Sequence, residues 1–269
     1  MWQRLLVLNK LKASGIHLGL SSIAFGVVLY FILVHWYPQP WFPIDGGWQG
    51  VRIMAFVDLV LGPTLTLIIF DPSKSRRALL FDFSMIGLAQ VGAFTWGAYA
   101  VHTQRPVAMV FWEGSFYSVA EKPLRAQGRS ASELSAFDDR VPALIYGEAP
   151  KDPAAIIEMV QRSVTRNLAE YEQFEIYKPL REHLPEIFAG SDTLQSAIKT
   201  SPGAESALQR LLAGRADVPR ESVRFVSFTG RYERATLVFD GAGFLLGTLP
   251  PVAPEEPEKS RKDLHPTAG

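Results

Sequence analysis

Three long apolar runs fill the first hundred positions of the chain, and shorter alternating runs follow them. Gly15 to Trp36, Val51 to Phe70 and Leu79 to Val101 are about 22, 20 and 23 residues long, enough for each to cross a hydrocarbon core as a helix. The first lacks Asp, Glu, Lys and Arg, ends in Trp36-Tyr37-Pro38, and has no small-residue cleavage pattern, so a retained anchor is expected. Aromatic residues (Trp36, Tyr37, Trp41, Trp48, Phe70, Tyr99) stand at the ends of the runs, as at a membrane interface.

Beyond Arg105 the pattern becomes that of a globular domain. Pro106 to Trp112 and Ser115 to Ala120 predict a hairpin turning at Glu113-Gly114. Ser222 to Phe228, Arg231 to Phe239 and Phe244 to Leu249 predict an antiparallel meander. Between them, Asp152-Pro153 opens a helix with Ile157, Val160, Val164, Leu168 and Tyr171 on its apolar face. A second helical region, Asp192 to Leu212, is broken at Ser201-Pro202-Gly203; Pro123 to Arg140 reads as a loop.

The expected architecture is therefore an α-helical membrane protein with three transmembrane helices, followed by a small α+β periplasmic domain with an antiparallel sheet. The divisions are a cytoplasmic arm (1–14), a transmembrane domain (15–103, spans 15–36, 51–70 and 79–101), the α+β domain (104–251), and a disordered tail (252–269).

Charge sharpens this division. The whole chain carries 27 Lys+Arg and 27 Asp+Glu, but the part up to His102 holds seven basic and four acidic residues, leaving the remainder net acidic. Lys10 and Lys12 precede the first span, Lys74, Arg76 and Arg77 lie between the second and third, and the Tyr37 to Gly50 connection has no basic residue. By the positive-inside rule the N-terminus is cytoplasmic and the C-terminal domain lies outside, in the periplasm of a bacterium with two membranes.

The chain has no cysteine, which excludes disulfides, thiolate metal sites and cysteine nucleophiles. Its five histidines are scattered without helical zinc spacing, Asp138-Asp139 falls in a polar loop, and no phosphate loop, dinucleotide fingerprint or nucleophile elbow is present. No catalytic group, metal or cofactor is expected, and a chain without a basic run offers no nucleic-acid footprint.

Candidate chemistry sits inside the spans, where ionisable groups are costly. Asp58 falls about 18 Å and Asp82 about 5 Å from the cytoplasmic end at the helical rise. Paired protease carboxylates need a common depth, which this difference denies. Asp82 can reach toward Lys74, Arg76 or Arg77. Pro63 removes a backbone donor and exposes the carbonyl of Leu59, Gln90 is positioned to hydrogen-bond Asp58, and Gly62, Gly87 and Gly92 would permit close helix approach.

Several stretches carry a family pattern: Lys12-Ala13-Ser14-Gly15-Ile16-His17-Leu18, Trp36-Tyr37-Pro38, Gly46-Gly47, Val57-Asp58-Leu59-Val60-Leu61-Gly62-Pro63, Leu65-Thr66-Leu67, Asp82, Gln90 and Arg105-Pro106. In this order they resemble the type IV pilin accessory proteins of the TfpX/TfpZ group, over about the first 110 residues. The resemblance implies an inner-membrane chaperone or stabiliser without catalytic activity. It would bind a cognate type IV pilin by its transmembrane helix or head domain, in contact with membrane lipid and other pilus assembly components. Asp82 would then meet the pilin's N-terminal amine, with Asp58 and Gln90 stabilising the groove. The alternatives are a membrane-bound enzyme modifying pilin or lipid at the periplasmic face, and a periplasmic-sensing membrane protein.

Overall fold

The computed structural model describes residues 2–71, 73–191, 196–197 and 203–249. The apolar runs form helices somewhat longer than their hydropathy alone predicts. Helix α1 (Trp2–Phe31) widens into a π-helical turn, Ile32–Trp36. After the short α2 (Trp41–Ile44), α3 (Gly47–Ala55), a π-helical turn (Phe56–Leu61) and α4 (Gly62–Ile69) form one continuous rod, and α5 covers Arg76–Thr103. Among the described residues three segments are long and apolar enough to cross a membrane: Asn9–Trp36, Gly47–Ile69 and Arg76–Thr103. Their outward faces are apolar, with Leu20, Ile23, Ile68 and Leu88 among the exposed residues, as a lipid-facing surface requires.

Downstream lie β1 (Pro106–Trp112), β2 (Ser115–Ala120), α6 (Glu121–Ala126), β3 (Ala143–Gly147), α7 (Pro153–Arg166), β4 (Tyr177–Pro179), α8 (Leu184–Ala189), α9 (Ala204–Leu212), β5 (Arg224–Thr229), β6 (Arg234–Phe239) and β7 (Leu245–Leu249). The hairpin forms where expected, because Glu113 (φ 46°) and Gly114 (φ 88°) both adopt the positive φ of a tight two-residue turn. The meander also forms. The described strands join one seven-stranded sheet in the order β4-β3-β1-β2-β5-β6-β7. That sheet is mixed, which corrects the expected antiparallel one: β1 pairs parallel with β3, and β2 pairs parallel with β5. The apolar run of β1 is buried throughout, as suits a central strand covered on both faces. Met109 and Phe111 face one layer of core, Ala108, Val110 and Trp112 the other.

Two local expectations are overturned. The 123–140 segment is not a plain loop: α6 is followed by a 3₁₀ turn, Ala131–Ala136, whose entry is fixed by reciprocal Ser130 and Glu133 hydrogen bonds. On α7 the apolar stripe does not face the core. Ile157, Val160 and Val164 are 58%, 45% and 78% exposed, while Met159 is buried. A polar network turns the helix: buried Gln173 donates to Met159 O (2.8 Å) and Ser163 Oγ (2.9 Å) and accepts from Arg162 Nε (2.8 Å). Much of the expected 192–212 helical region, including Pro202, and the tail from Pro250 lie outside the described residues; within that region α9 starts after Gly203, at φ +82°.

The 37–50 connection fastens the sheet domain to the apolar helices. Trp41 and Ile44 are buried in the core built by Phe116, Val226, Phe228 and Leu237, with the Trp41 and Phe228 rings edge-to-face at 5.4 Å. Ile44 O accepts from the backbone N–H of Tyr232 (3.1 Å) and Glu233 (3.3 Å), and Asp45 Oδ1 from that of Arg231 (3.1 Å). On the other side, α5 runs almost directly into β1. There the Arg105 guanidinium donates to His102 O (2.8 Å) and pairs with buried Glu121, which also holds Arg125 at 3.0 Å. Burial raises the Glu121 carboxyl, but the two guanidinium groups outweigh it and leave it below the usual carboxylate range.

Candidate functional site

The second apolar helix carries a rearranged turn around its only acid. Gly62 N–H bonds to Val57 O, five residues back, so the chain is in π register as it approaches Pro63. In that register the donor that Pro63 lacks belongs to Asp58 O, not to the Leu59 carbonyl expected from α-helical spacing. Gln90 on α5 supplies the replacement: its Nε2 donates to Asp58 O (3.3 Å) and approaches Asp58 Oδ1 (3.4 Å). Gly62 makes this possible, since a side-chain carbon there would overlap the Gln90 carboxamide. Gly87 and Gly92 have no neighbour at the corresponding position, so they are not points of close helix approach.

The first and second helices are stitched by two further polar contacts. Ser14 Oγ donates to Pro63 O (2.9 Å), and His17 Nδ1 lies 2.6 Å from the hydroxyl of Thr66, which is fully buried. These seams leave the first and third helices apart on one side. Between them opens an apolar cleft of about 250 Å³, lined by His17, Ser21 and Ala24 of α1 and by Gly87, Gln90 and Phe94 of α5, with Asp58 at its floor. On each wall the residues recur at helical i, i+3/i+4, i+7 spacing, so each helix contributes one face. Asp58 is 2% exposed, and its Oδ2 accepts no hydrogen bond from any described residue. An orphaned acceptor in an apolar cleft is costly and calls for a donor.

Asp82 stands apart from this constellation. It pairs with Lys74 Nζ at 2.6 Å near the start of α5, and Lys74 also reaches Ile69 O (3.4 Å) at the end of α4. Arg76 and Arg77 are exposed on the same connection. Lys10 acts electrostatically on Asp71 of that connection, so the basic residues early in α1 and those after α4 share one end of the molecule. Asp138 serves the fold, accepting from Leu144 N–H (2.7 Å) and Arg140 Nε (2.8 Å) at the entry to β3. Among the described residues no group of three or more His, Asp or Glu side chains could hold a metal.

Over 100 residues, 37% of its length, the chain is 37% identical to the fimbrial assembly protein of serogroups C1 and C2 from Dichelobacter nodosus, and the match covers 76% of that relative. The chain belongs to the fimbrial assembly protein family. The fimbrial assembly proteins of serogroups E1 and I from the same bacterium match at the same identity over 100 residues, which is 39% of each, so the chain spans about two fifths of those longer relatives. No family model matches the chain, and no solved structure does.

Three residues that shape the cleft stand in the sequence only as members of longer stretches. Ser14, His17 and Thr66 have ordinary counterparts in many apolar helices, and only the packing of α1 on α4 gives them partners. The combination of a histidine and a threonine at matching depths in two neighbouring spans was the available clue.

Proposed function

We propose that the protein is an inner-membrane accessory factor of the TfpX/TfpZ type that holds a type IV pilin by its transmembrane helix before the pilin enters the fibre. The observation that carries this reading is the unpartnered Asp58 oxygen on the floor of an open apolar cleft. A polar group buried in a membrane helix is met by a donor on a neighbouring helix, and the walls at His17–Ala24 and Gly87–Phe94 can receive the side chains of one. Family membership supports the choice of a pilin as that helix.

Orientation follows from the shared end of Lys10, Lys12, Lys74, Arg76 and Arg77, which is the cytoplasmic one by the positive-inside rule. The sheet domain is then periplasmic, beside the head of a membrane-held pilin. Asp82, near the cytoplasmic end, is at the depth of a mature pilin's N-terminal amine, which would compete with Lys74 for its carboxylate.

Site-directed photocrosslinking in piliated cells tests the reading. Probes at Leu20 and Val91, on the cleft walls, are expected to yield pilin adducts, whereas a probe at Ile68 on an exposed face is not. Absence of a pilin adduct from both cleft probes would reject it. Asp82→Asn is expected to lower pilin recovery; normal surface piliation in that variant would remove Asp82 from the contact.

A further inference from the structure

A second, larger cavity of about 620 Å³ lies where the apolar helices meet the sheet domain. Gln49 and Ile53, in the first turns of the second apolar helix, and Val101, in the last turn of the third, form one wall. Exposed Trp48 and Tyr99 mark the same level, which is that of a bilayer interface if the helices span a membrane. The other wall brings in Lys122, Arg166 and Arg231, all exposed. None of the three forms an ion pair with a described residue, although Arg231 acts at longer range on Asp45 and Glu172.

The floor has the opposite need. Asp45 is 2% exposed, and its Oδ1 accepts the Arg231 backbone N–H while its Oδ2 accepts no hydrogen bond of good geometry. Gln49 Oε1 is likewise buried without a donor. Burial pushes the Asp45 carboxyl up, against the opposing influence of Ser118 and Arg231. The cavity thus offers three cations outside any ion pair and two orphaned acceptors, beside the Glu172 carboxylate and apolar surface from Ile53 and Val101.

We propose that this cavity binds the headgroup of an amine-bearing glycerophospholipid, with the phosphodiester against Lys122, Arg166 and Arg231 and the ammonium against Asp45 and Gln49. A zwitterionic headgroup meets both needs at once. An ammonium donates to acceptors that the described residues leave unsatisfied, and the phosphodiester accepts charge-assisted bonds from the guanidinium groups. The acyl chains then leave along Ile53 and Val101 into the apolar layer. Bound there, the lipid bridges the 37–50 connection, the end of α5 and the C-terminal end of α7, and joins the membrane and sheet domains by a third contact.

Native mass spectrometry of the full chain in detergent, titrated with phosphatidylethanolamine, phosphatidylglycerol or free phosphoethanolamine, tests this. One phosphatidylethanolamine is expected to stay bound. Each cation lost from the Lys122→Gln, Arg166→Gln, Arg231→Gln set should weaken retention about tenfold, the scale of one charge-assisted hydrogen bond. Gln49→Leu should reduce phosphatidylethanolamine more than phosphatidylglycerol, and Arg210→Gln with Arg234→Gln should leave both unchanged. Melting of the same variants must match the unsubstituted chain, so that lost retention reports the site. Equal retention by the triple variant, or phosphatidylglycerol held as tightly as phosphatidylethanolamine, would overturn the proposal. Free phosphoethanolamine binding as well as the intact lipid would also overturn it, by assigning the cavity to a soluble phosphoester.

Discussion

Gln90 Nε2 donates to the backbone carbonyl of Asp58, the acceptor that Pro63 leaves without its main-chain partner. One side chain on the third apolar helix therefore completes the hydrogen bonding of the second, and the same carboxamide approaches the Asp58 carboxylate. The π turn, the proline and the glutamine form a unit, because each would be unfavourable in an apolar layer without the others.

Replacing Gln90 by Leu should destabilise the helix bundle by about 1 kcal/mol, the usual scale of an interhelical hydrogen bond in a membrane protein. Pro63→Ala restores a donor to the Asp58 carbonyl, so in that background Gln90→Leu should cost distinctly less. Reversible unfolding in mixed micelles, arranged as a double-mutant cycle, measures the difference. Additive effects would separate Pro63 from Gln90.

Gly62→Ala places a methyl group against the Gln90 carboxamide. The expected cost is about 1–3 kcal/mol, typical of overpacking a close contact. Trimming the neighbour should relieve it: in a Gln90→Ala background the same glycine substitution should be nearly neutral. Gly87→Ala and Gly92→Ala meet open space and should change unfolding little beyond the local helix preference.

Much of this arrangement is legible in the sequence, and the remainder fails for identifiable reasons. The three apolar runs, the hairpin at Glu113-Gly114 and the meander follow from local periodicity and turn chemistry, and the proximity of Asp58 and Gln90 follows from two polar residues confined to one apolar layer. The mixed sheet does not, because the β2 and β5 pairing at Tyr117 and Thr229 joins segments with no local relationship. On α7 the apolar stripe misleads, since Gln173 binds the opposite face through hydrogen bonds that no periodicity encodes. Asp45 is the single acid between Tyr37 and Gly50, but its contact with the Arg231 backbone and the place of Trp41 in the sheet core arise only when the 37–50 connection folds against the β5–β6 hairpin.

The junction at Glu121 should make stability depend on pH. Its carboxyl is held below the usual range by Arg105 and Arg125, so its contribution is fully present above the ordinary glutamate value of about 4.3. As pH falls below that value and through the lower folded pKa, the carboxylate is protonated and the contribution is lost. Glu121→Gln should cost about 2 kcal/mol at neutral pH, less than a fully buried pair because Arg125 is half-exposed. Thermal melts from pH 7 to pH 3 should show the variant and the unsubstituted chain converging on the acid side. A constant difference would assign the loss to packing.

Trp41 belongs by sequence to the connection between two apolar helices and by packing to the core of the sheet domain. It is 5% exposed and meets Phe228 edge-to-face, so Trp41→Ala should cost about 3–5 kcal/mol, as for other buried aromatic truncations. The loss should appear at a distance in sequence. Amide exchange should accelerate in β5 and β6, in whose connecting turn Tyr232 and Glu233 donate to Ile44 O, while the Asp58 and Gln90 region of the bundle stays protected. Trp41→Phe keeps a ring against Phe228 and should recover most of the protection. If exchange in β5 and β6 were unchanged by Trp41→Ala, the sheet domain would be self-sufficient, and the 37–50 connection would not transmit changes between the cleft and the sheet domain.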